Sequence, residues 1–166
     1  MHDTDLGTCG RSQGDRLLLR TIRRLALQSA CHGLEDGFEV SCGCAGAEAY
    51  RALGVFVEQL RHNGQRRIVL SVPMARMLTH DEQTILAAFA AAQHDDYREL
   101  DARLTDLTGA QPPASLGGAV CLVAQVFAMQ GLLISSDAGW PARGCLDICF
   151  GARLIQRPVP AFRNAL

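Results

Sequence analysis

The chain contains no lysine, and all 16 of its basic residues are arginine. That excludes Schiff-base chemistry and the phosphate-binding lysine of a P-loop. It also lacks an excess of charge of either sign: the net charge is -1 with neutral histidines. A protein devoted to nucleic acid or to anionic membranes normally carries a basic surplus. No GxSxG, HExxH, Walker or GxGxxG pattern occurs, so no reaction is named by a motif. No internal repeat or long low-complexity tract is present. The start, Met1-His2-Asp3-Thr4-Asp5, is acidic and has no apolar stretch behind it, so no signal peptide is expected and the cytoplasm is the expected compartment. The all-arginine, alanine-rich composition suits a GC-rich genome and points to a bacterial source.

Charge is missing from one long stretch altogether. No charged residue lies between Asp106 and Asp137, and Leu116 to Ile134 is almost wholly apolar. A run of about 18 apolar residues is long enough to cross a bilayer. Gln125 and Gln130 interrupt it, and an unpaired amide in hydrocarbon costs several kcal/mol. Gly131 supplies a helix C-cap. The run therefore divides into a buried helix over 115–130 and a short strand over 132–135, and no membrane insertion is expected.

What is present has the spacing of helices. Residues 1–14 are polar and small, and read as a flexible tail. Asp15 is the expected N-cap of a helix over 15–30, with Leu18, Ile22 and Leu25 on one stripe. His32 to Gly37 reads as a turn. A second helix is expected over 45–62, burying Ala49, Leu53, Phe56, Val57 and Leu60. Ile68 to Val72 reads as a strand closed by Pro73. Thr79 and Glu82 have the spacing of a capping box, opening a helix over 80–93. Another follows over 96–108, with a stripe of Tyr97, Leu100, Leu104 and Leu107 ended by Gly109. Cys145 to Phe150 is read as a returning strand, and 156–166 as an extended tail. The expected fold is mainly α: about five helices, the apolar one central, with two or three short strands. One globular domain would span 15–155.

Two clusters are candidates for a site. Arg16, Arg20, Arg23 and Arg24, with Arg11 nearby, are offset only by Asp15, and suit an anion, RNA or an acidic partner. Cys31, His32, Cys42 and Cys44 offer four nitrogen and sulfur donors for zinc or an iron–sulfur cluster. Their spacing matches no standard zinc signature, and the expectation is that no cofactor is bound. Seven cysteines are present; in a reducing compartment they act as buried small residues, ligands or sensors. Cys145 and Cys149 share a face on a helix or a strand, and Cys121 belongs to the core. Asp95, Asp96, Glu99, Asp101 and Asp106 are accounted for largely by the helix N-terminus at 96.

The order from residue 80 is helix, helix, Pro-Pro connector, helix, strand, loop, strand. It resembles a winged-helix domain, with Met129 to Ile134 as the junction from third helix to strand and Ser136 to Gly144 as the wing. The resemblance implies a DNA-reading third helix. That helix has no arginine, lysine or asparagine, and base and phosphate readout needs such donors. Specific nucleic-acid binding is not expected. The function expected from the whole is that of a small non-enzymatic bacterial regulatory or adaptor protein acting through contacts with another protein. The alternative is a Cys/His metal- or redox-sensing regulator. A homo-oligomer is compatible with either.

Overall fold

A computed structural model of the chain describes residues 11–27, 33–73, 75–135 and 152–153. Residues 1–10 of the expected flexible tail, the residues Cys31 and His32, the expected wing over 136–144, the strand at 145–150 and the extended tail over 156–166 lie outside them; residues 11–14 of the expected tail are described, and Gln13 and Gly14 already belong to the first helix. Among the described residues the fold is mainly helical.

Helix α1 (Gln13–Ala26) starts one turn earlier than expected. Ser12, not Asp15, is its N-cap: the Ser12 hydroxyl accepts from the Asp15 amide at 3.0 Å, and the Asp15 carboxylate accepts from the Ser12 amide at 3.2 Å. An acid at the third helical position closes a capping box that serine opens. The helix ends at Ala26, short of the expected residue 30.

The segment expected as a turn is instead α2 (Leu34–Cys42). Gly33, at φ 122°, takes the N-cap position, and Glu35 and Asp36 in the first turn complement the helix dipole. Leu34, Phe38 and Cys42, spaced four apart, are buried on one face. A 3-10 turn (Gly43–Ala45) leads into α3 (Gly46–Asn63). The two helices meet closely at that corner. A Cβ on Gly46 would lie 2.5 Å from the Phe38 carbonyl oxygen, so only glycine fits.

Strand β1 (Val69–Leu70) is shorter than expected, and pairs antiparallel with β2 (Ala152–Arg153), Val69 facing Arg153 and Leu70 facing Ala152. Its other edge is taken by a helix end. Helix α4 (His80–Gln93) opens on the expected capping box of Thr79 and Glu82. The Thr79 hydroxyl donates to the Val69 carbonyl at 2.7 Å, the Val69 amide donates to Asp81 at 2.7 Å, and the Ser71 amide donates to Glu82 at 2.9 Å. Side chains stand where a neighbouring strand would be, which satisfies the backbone and stops the ladder after two residues.

Helix α4 is enclosed around most of its circumference, burying Ile85, Leu86, Phe89 and the alanines at 88 and 90–92. After Asp96 caps it, α5 (Tyr97–Thr108) buries Leu100, Leu104 and Leu107, and ends at Gly109 in the left-handed region. Tyr97 departs from the expected stripe: it is 57% exposed. At the first helical position it stands ahead of the packed turns, with its hydroxyl turned to Asp95.

Helix α6 (Ala114–Met129) is the first part of the apolar run. It packs against α3, α4 and α5. Leu116, Ala119, Val120, Val123, Ala124, Val126 and Phe127 are buried, while Ser115, Gly118, Gln125 and Met129 face out. It stops in a Schellman motif: Gly131, at φ 68°, donates to the Ala128 carbonyl, and Leu132 donates to that of Phe127 at 2.9 Å. No helix among the described residues is long and apolar enough to cross a membrane.

Residues 132–135, expected as a strand, join no ladder. They alternate like one, with Leu132 and Ile134 buried and Leu133 exposed. Their partners are again side chains. The Gln93 amide donates to the Leu132 carbonyl at 2.9 Å, and its oxygen accepts from the Ile134 amide at 2.9 Å. Asp15 accepts from the Ser135 amide at 2.9 Å, and the Ser12 hydroxyl donates to the Leu133 carbonyl.

Burial on α6 can be checked by charge. Phe127→Asp places a carboxylate in a site with no solvent access and is expected to cost several kcal/mol; circular dichroism should show the helical signal lost. Gln125→Asp, on the exposed face of the same helix, should keep that signal and a midpoint within about 0.5 kcal/mol of the parent.

Candidate functional site

The largest concentration of charge chemistry in the described interior is built from α1 and the start of α4. Arg23 and Glu82 are 3% and 0% exposed and meet as a fork. Arg23 Nε donates to Glu82 Oε1 at 2.6 Å, and Nη2 donates to Oε2 at 3.0 Å. The rest of the guanidinium is used on backbone. Nη1 donates to the Ala75 carbonyl at 2.8 Å and to that of Pro73 at 3.5 Å, and Nη2 to that of Met77 at 3.3 Å. Glu82 also accepts from the Ser71 and Thr79 amides. The carboxylate thus has four donors, and the guanidinium is spent on a carboxylate and a loop. Neither has a lone pair or proton left to offer a substrate, so this cluster is a fastener rather than a reaction centre.

Two further charges extend it. Arg66 donates to Asp81 at 2.8 Å, beside the Val69 amide on the same carboxylate. Arg11 donates to the Arg76 carbonyl. Burial, and then the positive charge of Arg23, push the Arg11 guanidinium below its ordinary pKa.

Sequence grouped Arg16, Arg20, Arg23 and Arg24 together, and the structure separates them. Arg16 and Arg20 are exposed and Arg24 is half-buried. Arg23 is inside. The signal for this was present in the spacing: Arg23 follows Leu19 by four residues and shares its column, whereas Arg16, Arg20 and Arg24 form a column of their own. Asp15, the one acid of α1, is 1% exposed on the other side of the helix. The role of Gln93 as a partner for extended backbone had no sequence signal at all.

The cysteine cluster is only partly described. Cys42 is fully buried on α2 against the core, and Cys44 is exposed in the 3-10 turn. The segment between 33 and 46 is therefore helix rather than a loop free to fold about a metal. Cys31 and His32 lie outside the described residues, as do Cys145 and Cys149. Among the described residues no group of three or more histidine, cysteine or acidic side chains is placed to hold a metal ion.

A third grouping lies where α5 begins. Asp95 takes a positive φ of 56° between α4 and α5, and the Tyr97 hydroxyl donates to its Oδ1 at 3.1 Å. That hydrogen bond, then the Asp95 charge, push the Tyr97 phenol up. Burial pushes up the Cys121 thiol, and Asp95 and Asp101 add to the effect. Both groups hold their protons more firmly than usual, which is the opposite of an activated nucleophile.

No family model, no curated protein and no solved structure matches the chain.

Two measurements check these assignments. Arg23→Ala leaves Glu82 charged and buried, and should cost about 3–5 kcal/mol of stability in urea denaturation. Arg20→Ala, on the same helix but in water, should stay within about 0.5 kcal/mol. Thiol labelling of the folded protein near pH 8 should find Cys44 reactive and Cys42 protected, because burial both shields the Cys42 thiol and pushes its pKa up. Equal labelling rates would contradict the placement of α2.

Proposed function

We propose that this chain is a small non-enzymatic regulatory or adaptor protein that works through another protein, and that it grips an acidic partner with the arginine column of α1. The observation that carries the reading is the separation of charge on that helix. Arg16, Arg20 and Arg24 follow one another at spacings of about 6 Å, while Asp15 is turned inward. The helix is held at one end by Ser12 and Asp15 and near the other by Arg23. Cations on a fixed scaffold lose less entropy on binding than cations on a mobile one. Arginine favours carboxylates by its forked geometry.

The winged-helix order and a central place for α6 belong to the same proposal. In it α6 serves packing, because the helix in the recognition position carries no donor for phosphate or base beyond Gln125 and Ser115. A cytoplasmic setting suits the free thiols of Cys42, Cys44 and Cys121.

The test uses fluorescence anisotropy with a labelled polyglutamate peptide and, separately, a labelled DNA duplex. The peptide should bind more tightly than the duplex. Arg16→Glu with Arg20→Glu should weaken peptide binding by about tenfold or more, and added salt should weaken the parent complex. Binding that ignores the charge reversal, or a clear preference for the duplex, would sink the reading.

A further inference from the structure

The seam between α3 and α6 holds a groove of about 440 Å³, lined by Ala52, Val55, Gly118 and Leu122 among others, with Glu48 and Arg51 on its α3 side. Two features of it are left without a use among the described residues. Val55 is 44% exposed there, beside Leu122, which is partly buried and packs against the core. Gly118 stands inside a helix, where glycine weakens the helix relative to alanine. Among the described residues a Cβ on Gly118 would meet nothing within 4 Å, so their packing does not require the glycine. Space kept open at a cost to the helix suits the close approach of a chain from outside.

The charges say which chain. Glu48 and Arg51 are exposed neighbours of opposite sign, three residues apart on α3. Among the described residues neither has an ion-pair partner, and Arg51 Nε donates to the Ala47 carbonyl of its own helix at 3.2 Å. The surface that complements an acid followed by a base is the same pair in reverse order. A two-fold axis supplies that pair from an identical molecule. Helix α6 brings no charge of its own to the seam, so nothing on it repels a second copy.

We propose that a second copy of this chain packs its own α3–α6 face against this groove. In this two-fold dimer Glu48 meets the partner's Arg51 and Arg51 meets the partner's Glu48, while Val55 and Leu122 cover the partner's Gly118. A seam two helices wide is modest beside the roughly 800 Å² per partner of a standard interface, so association is weak and depends on concentration. The arginine column of α1 takes no part in it.

Sedimentation velocity of the full chain, from about 1 to 200 µM, tests the proposal. The average mass should rise from one chain towards two across that range. Glu48→Arg alone and Arg51→Glu alone should each weaken the dimer by about tenfold or more, since each sets like charges together. The double exchange E48R/R51E should restore it to within about threefold, which a general loss of folding cannot do. Gly118→Leu should abolish the dimer while the thermal midpoint of the monomer is held or raised; if that variant fails to fold, the charge exchange still decides. A chain that stays monomeric throughout overturns the proposal, leaving the groove to a different protein or to none. So does a dimer indifferent to all of these changes, or one that the double exchange does not restore.

Discussion

Removing two charges from water is the most demanding thing this fold does, and the Arg23–Glu82 pair makes most of the structure depend on doing it well. Such a pair stabilises a protein only when every remaining donor and acceptor is met. Here that condition reaches four separate pieces of chain. The Ser71 amide belongs to the end of β1, and the Thr79 amide to the start of α4. The Ala75 and Met77 carbonyls belong to the loop between, and Arg23 to α1. If any one of them shifts, a buried charge loses a partner. The pair therefore fixes position more than it adds stability: it gives Ser71, Ala75, Met77 and Thr79 one place to sit, and α1 one register against α4.

A second pattern follows from the same economy of strands. The extended segments at 69–71 and 132–135 are both satisfied mainly by side chains from helix ends. Thr79, Asp81 and Glu82 serve the first from the start of α4, and Gln93 serves the second from its last turn. One buried helix thus holds an extended segment at each end. An amide side chain has both a donor and an acceptor, which lets Gln93 imitate the two groups of a strand residue. The carboxylates accept only, and so take amides. Burial is complete enough that no buried side-chain polar atom among the described residues lacks a partner.

The helices were legible because packing imposes a period on the sequence. Ala49, Leu53, Phe56 and Leu60 announce α3, the Thr79–Glu82 box announces α4, and Gly109 and Gly131 mark the ends of α5 and α6. Helix α2 was hidden because Gly33 and Gly37 bracket its first turn, and glycine there looks like a bend until Phe38 and Cys42 are seen buried beneath it. The candidate site was less legible for a different reason. Spacing puts Arg23 in the Leu19 column, apart from Arg20, but its partner Glu82 is 59 residues away. Local spacing tells which column a side chain occupies but not which loop will close over it. The same limit hid Gln93, whose partners come 39 and 41 residues later.

The cap of α1 draws on residues far ahead of it. Ser12 and Asp15 reach Leu133 and Ser135 across 121 and 120 residues. A ribosome adding roughly 5–20 residues per second needs on the order of ten seconds to cover that distance. For all of that time α1 has been made but cannot be finished. Its capping box can form at once, yet the second oxygen of Asp15 has no amide to accept from, and Leu18, Leu19 and Ile22 have no completed core to enter. Among the described helices, the earliest in the chain is completed only after the latest has been made. An element early in the chain thus depends on one late in it, and a chain cut before Leu133 lacks the partners that fix the start of α1.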